Sequence, residues 1–149
     1  MLSITNYRKQ FESFLVLDIP YLQIPPGVHI FRGRNGAGKT TFFKSLAGLL
    51  PFEGNIEVDG VSQKKQPIHY RRQISYAEPE PIYPDFLTSH DLLHFVAQAR
   101  QVADDRWKNL VVQLQMEAFL DQPCETFSSG MLKKLSLAMA LTGNQLLYC

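Results

Sequence analysis

Hydrophobic and polar positions divide the chain into short strands at the front and longer helices at the back. Ser3-Ile4-Thr5, Phe14-Leu15-Val16-Leu17 and Tyr21–Ile24 are β-prone runs that predict strands. Pro25-Pro26-Gly27 marks a turn, and Val28-His29-Ile30-Phe31 predicts a further short apolar strand. A glycine-rich loop, Gly33 to Gly38, comes next. Phe42, Phe43, Leu46, Leu49 and Leu50 then recur at helical spacing, which predicts a helix from about Lys39 that Pro51 ends. Asn55–Val58 and Ile74–Ala77 predict strands, with a tight turn at Asp59-Gly60. Further helices are expected over Ser89–Gln101, capped by Thr88 or Ser89, and over Asp104–Leu114. Gln122-Pro123 breaks the pattern. Ser128-Ser129-Gly130 opens a last helix with Leu132, Leu135, Leu137, Ala138 and Leu141 as its apolar positions, and Leu146–Cys149 reads as the start of a buried strand. The order β-β-β-α-β-β-α-α-α-β predicts an α/β domain.

Composition narrows the function. The chain has 149 residues, about one domain, and a net charge of +1. That balance gives no support for a broad nucleic-acid surface but leaves room for a local phosphate site. No apolar run reaches the roughly 18 residues of a membrane span, and MLSITNYRKQ lacks the apolar stretch of a signal peptide, so a soluble, cytosolic protein is expected. Cys124 and Cys149 have no metal or redox spacing. His90 and His94 in "HDLLH" stand at i and i+4, but zinc would need a third ligand, and a solvated helix face explains them more simply. Trp107 and Phe119, among apolar neighbours, are expected in the core.

The chemistry is concentrated in "GRNGAGKTT", which matches G-x-x-x-x-G-K-[ST] from Gly33 to Thr40. A phosphate must lie against several backbone N–H groups at once. Glycines at 33, 36 and 38 let the backbone come close and take unusual φ values. The amides around Asn35 to Thr40, including Ala37, can then form an anion nest at a helix N-terminus. The Lys39 ammonium can bridge β and γ oxygens, the Thr40 hydroxyl can bind Mg²⁺, and Thr41 can reach an α-phosphate. The loop follows an apolar strand and precedes an amphipathic helix, the context this chemistry needs.

"GRNGAGKTTFFKSLAGLLPFEGNIEVDG", Gly33 to Gly60, resembles the phosphate-loop region of ABC-type ATPases. "SITNYRKQF" resembles the family's opening strand, whose terminal aromatic stacks on adenine; by position it is Phe11. "FSSGMLKKLSLAMAL", Phe127 to Leu141, resembles the family's signature segment. The resemblance covers essentially the whole chain. It implies a P-loop NTPase fold of the ABC type: an N-terminal antiparallel β-subdomain, a parallel core sheet (about residues 1–77 and 142–149) and a helical signature subdomain (about 78–141). It also implies ATP and Mg²⁺ as ligands, Lys39 as a catalytic residue, and a head-to-tail dimer in which Ser128 and Gly130 touch the γ-phosphate held by the other copy. The partner implied is an integral membrane transporter subunit, and the location is the inner face of the cell membrane.

Three departures qualify this. Ser129 and Met131 stand where the signature usually has Gly and Gln. In "ISYAEPEPIYPDFLT", where the family usually has a Gln that binds Mg²⁺, counting from either side gives Pro79 or Glu78. Glu78 is the chemically sensible choice as metal ligand and catalytic group, with Glu80 also open. By itself this Pro-rich stretch reads as a stiff surface loop; the resemblance implies that its exposed Tyr83 and Phe86 form part of a groove that receives a short helix of the membrane subunit. Finally, "GNQLLYC" looks like the strand that in the family leads to an Asp-Glu pair, cut before the acids. The sequence therefore reads as a shortened ATP-binding subunit of a membrane transporter that binds ATP but hydrolyses little alone. A nucleotide-binding remnant without a catalytic role, and a soluble ABC protein outside transport, are the competing readings.

Overall fold

The computed structural model describes residues Met1–Cys149, which form two compact units: Met1–Ile74 with Cys149, and Ser75–Tyr148. In the first unit, β1 (Leu2–Phe11) and β2 (Phe14–Ile24) form an antiparallel hairpin. β3 (Glu53–Val58) and β4 (Val61–Ser62) complete a four-stranded sheet of order β2-β1-β3-β4. Helices α1 (Lys39–Leu46) and α2 (Pro67–Gln73) belong to the same unit. Its core is Leu2, Ile4, Tyr7, Phe42, Leu46, Ile56, Val58 and Tyr70. Two tyrosine hydroxyls are satisfied inside it: Tyr7 donates to Ser45 Oγ at 3.0 Å and Tyr70 to the Leu46 carbonyl at 2.9 Å.

The sequence expectations are corrected at several points. Phe14–Leu17 and Tyr21–Ile24 are one strand, not two. Pro20 between them lacks an N–H, and β2 tolerates it because it is an edge strand. Val28–Phe31 forms no strand: Val28 is 97% and Ile30 75% exposed. No strand of the unit lies alongside to pair its backbone, and apolar, β-prone composition alone cannot hold an extended segment. Helix α1 ends at Leu46, ahead of Pro51, with Gly48 left-handed at φ 76°, and Leu49 is exposed. Helix α2 has no counterpart in the apolar pattern, because Tyr70 is its only buried residue.

The second unit contains α3 (Ser89–Arg100), α4 (Asp105–Gln113) and α5 (Ser129–Leu141), two short 3-10 turns, and β6 (Leu147–Tyr148); β6 pairs with β5 (Ile74–Ser75), which starts on the last residue of the first unit. Leu92, Leu93, Ala97, Trp107, Val111, Met116, Phe119, Leu135 and Ala138 form its core. The Trp107 indole N–H donates to Asp104 at 3.0 Å. His94 lies 3.3 Å from the same carboxylate through Nδ1, and Gln98 meets its Nε2 at 2.8 Å. Arg100 closes the end of α5 by donating to Ser75 Oγ, the Ala140 carbonyl and Gln145. Tyr83 is not exposed as expected but packs against this core, whereas Phe86 is 78% exposed.

Candidate functional site

The loop of residues 33–38 lies in the first unit and delivers the chain into α1. A turn closes it, with the Ala37 N–H on the Arg34 carbonyl at 3.2 Å. Gly36 and Gly38 are left-handed, at φ 80° and 85°. Gly38 is the N-cap of α1, so no side chain caps this helix, and its first turn holds no acidic residue. The backbone N–H groups of Gly36, Gly38, Lys39, Thr40 and Thr41 have no acceptor within the chain. Lys39 folds back over the loop and donates to the carbonyls of Gly33 at 2.7 Å and Arg34 at 2.9 Å.

Gly38 is irreplaceable on two counts. Besides its φ, a Cβ there would lie 2.9 Å from Leu17 Cγ and 3.0 Å from Val16 Cγ1. Consecutive strand residues normally point to opposite faces. Here the β1–β2 register slips between Lys9↔Leu17 and Gln10↔Leu15, which leaves Val16 as the extra residue of a bulge. That bulge lets Val16 and Leu17 both face the loop. Gly33 lies tight as well, since a Cβ on it would come 3.3 Å from the Ala37 methyl.

A cleft of about 590 Å³ opens over the loop. Its lining brings together Phe11, Asn35, Gly36, Gly38, Lys39, Thr40 and Thr41. Phe14 and Val16 complete it, and the sequence pattern did not single them out. Phe14 is paired with Phe11 across the hairpin end, and only the register reveals that. The lining residues bring several donors and hydroxyls to the cleft: the backbone N–H groups at the start of α1, the Lys39 ammonium and the hydroxyls of Thr40 and Thr41. Such a set fits an oxygen-rich anion. ATP fits it well: the amides and Lys39 would hold the phosphates, the exposed Thr40 hydroxyl would supply an oxygen to Mg²⁺, and Phe11 offers a ring to the base. Bound Mg²⁺ would neutralise phosphate charge.

The remaining candidates belong to the second unit. Ser128 is the N-cap of α5, its Oγ accepting from the Met131 N–H at 3.3 Å. Gly130 sits in the first turn of α5, where an added Cβ would meet nothing closer than Ser128 Oγ at 3.9 Å. The Glu78 carbonyl accepts from Ser136 Oγ at 2.9 Å, and Pro79 and Glu80 are exposed.

Comparison with known proteins agrees with this chemistry. A family model described as ABC transporter matches residues 20–149. The chain is 34% identical over 145 residues to rat ATP-binding cassette sub-family A member 7, an alignment covering 93% of this chain and 6% of that protein. It is 31% identical over 146 residues to the energy-coupling factor transporter ATP-binding protein EcfA1 of Mesomycoplasma hyopneumoniae, covering 93% and 54%. A solved ATP-binding subunit of an ABC transporter superposes with a TM-score of 0.81 at 25% identity, covering 99% of this chain and 64% of that one. The chain thus spans less than two thirds of each of these relatives. Its donor-lined loop is built as phosphate chemistry requires, and residues 20–149 follow the family's sequence pattern: the chain belongs to the ABC transporter family, in its ATP-binding part.

Proposed function

We propose that this chain is the nucleotide-binding part of an ATP-driven membrane transporter and that it holds Mg-ATP in the cleft over Gly33–Thr41. The observation that carries the reading is the uncapped start of α1, where the amides of Gly36 and Gly38 in the loop and of Lys39, Thr40 and Thr41 in the helix lack an acceptor beside the Lys39 ammonium. In this reading Lys39 leaves the Gly33 and Arg34 carbonyls and turns to the β and γ oxygens. Phe11 stacks on the base, and Thr40 and Glu78 serve Mg²⁺. Ser128 and Gly130 face the γ-phosphate of an opposing copy. The partners are that second ATPase copy and an integral membrane subunit at the cytoplasmic face.

Calorimetric titration of the 149-residue protein with Mg-ATP tests this. Saturable binding that Lys39→Ala weakens at least about tenfold is expected, because a charge-assisted contact to phosphate is lost. Equal binding by both proteins, or none by either, would overturn the reading.

A further inference from the structure

Lys9 is an unusual lysine. It is only 7% exposed, and no carboxylate is bridged to it. Lysines are seldom buried without a partner. The ammonium has two: it donates to the Pro51 carbonyl at 2.8 Å, and it lies 4.5 Å from the centroid of the Phe11 ring. Phe11 itself is 47% exposed and lines the cleft over the phosphate loop.

Strict alternation from Leu2 and Ile4 would turn Lys9 to solvent. Asn6 prevents this. It is left-handed at φ 49°, and the β1–β3 register shifts between Thr5 and Arg8. The shift exchanges the two faces, so Tyr7 and Lys9 are buried after Leu2 and Ile4. Lys9 and Phe11, two apart, then lie on one face. The irregularity depends on Gly54, on which a Cβ would fall 2.1 Å from the Asn6 carbonyl oxygen.

A cation on one face of an aromatic ring offsets the negative potential of its π system. Face-to-face stacking of two π systems is opposed by that same potential. We propose that Lys9 is a positioning residue for base binding: its ammonium, anchored on Pro51, fixes the Phe11 ring and prepares its open face for the purine of a nucleoside triphosphate. This rests on the nucleotide-binding reading above and adds to it a determinant of base affinity outside the phosphate loop.

The test compares Mg-ATP with inorganic tripolyphosphate, which carries the phosphates without the base, on the full 149-residue chain. Lys9→Met is expected to weaken ATP about three- to tenfold while tripolyphosphate binding stays unchanged. Lys9→Arg, which keeps the cation, restores most of the loss. In a Phe11→Leu background, Lys9→Met costs no further affinity, because the two act as one unit. Should Lys9→Met fail to fold, Lys9→Gln removes the charge while keeping a donor for Pro51 and is expected to show the same selective loss. The proposal is overturned if ATP affinity is unchanged, if ATP and tripolyphosphate weaken together, or if the Lys9 and Phe11 losses add. Wild-type protein that binds tripolyphosphate as tightly as ATP sinks the base platform alone. Protein that binds neither sinks the nucleotide-binding reading too.

Discussion

Helix α1 in the first unit and helices α3 and α5 in the second begin in opposite ways. Helix α3 starts with a complete capping box: Asp91 N–H donates to Thr88 Oγ1 at 3.1 Å, and the Thr88 N–H donates to Asp91 at 3.0 Å. Helix α5 is capped by Ser128. Helix α1 is capped by nothing, and its preceding loop adds more amides without acceptors. At α3 and α5 a side chain takes one of the orphan donors, whereas α2 and α4, like α1, start without a side-chain cap. At α1 the donors stay free, together with the positive end of the helix dipole. What sets α1 apart is the combination of an uncapped start with a preceding loop turned by left-handed Gly36 and Gly38.

The largest effect expected from breaking this comparison is at Gly38. Gly38→Ala forces a left-handed φ on alanine and drives its methyl into Leu17 and Val16. ATP affinity should fall at least about 100-fold, as strain of this kind displaces the loop amides. Titration calorimetry would show it, and near-normal binding would mean the loop geometry is not what holds phosphate.

Giving α1 the acid it lacks should separate stability from binding. Thr41→Glu places a carboxylate in the first turn, beside the free amides. It should stabilise the fold by about 0.3–1 kcal/mol through the dipole while weakening ATP at least about tenfold through repulsion. Thermal unfolding and titration on the same preparation would reveal the opposite signs; a change of both in one direction would refute the contrast.

At α3 the reverse applies. Thr88→Ala should cost about 1 kcal/mol of stability, read from denaturant unfolding, and leave ATP affinity unchanged. The same cap predicts a pH effect. The backbone N–H of Thr88 and then its hydroxyl hold the Asp91 carboxyl below its ordinary 3.8. Its contribution is complete above that value and disappears as the pH falls through the lowered one. Asp91→Asn, which removes the titrating group, should therefore flatten the acid limb of the stability curve between those two values, and an unaltered limb would exclude the cap as its source.

The smallest effect is at Ser128, whose capping bond is longer than that of Thr88 and has no reciprocal partner. Ser128→Ala should cost about 0.5 kcal/mol and leave ATP binding by a single chain unchanged. A loss confined to ATP-induced dimerisation, followed by light scattering, would support the γ-phosphate role proposed for it.

The phosphate loop was legible because its chemistry is local. Glycine spacing, the lysine and the following apolar period all lie within about 20 residues of sequence, and the structure keeps them together. Helices α3 and α5 were legible for the same reason: their caps at Thr88 and Ser128 are i to i+3 contacts. Helix α2 was not, since one buried residue makes no period. The segment Val28–Phe31 misled because an apolar run states a preference for extended backbone but says nothing about whether a neighbouring strand exists.

What the sequence by itself determined is therefore the phosphate chemistry and the places where helices start, both set by contacts a few residues apart. The tertiary structure decided which residues join that loop around the cleft. A left-handed Asn6 opposite Gly54 reverses the faces of β1, and a bulge at Val16 turns two successive residues of β2 toward Gly38. These irregularities bring Lys9 and Val16 into play beside Phe11, which the sequence had already singled out. No alternation rule could place them, because a register shift of one residue exchanges every side chain between the two faces of a strand.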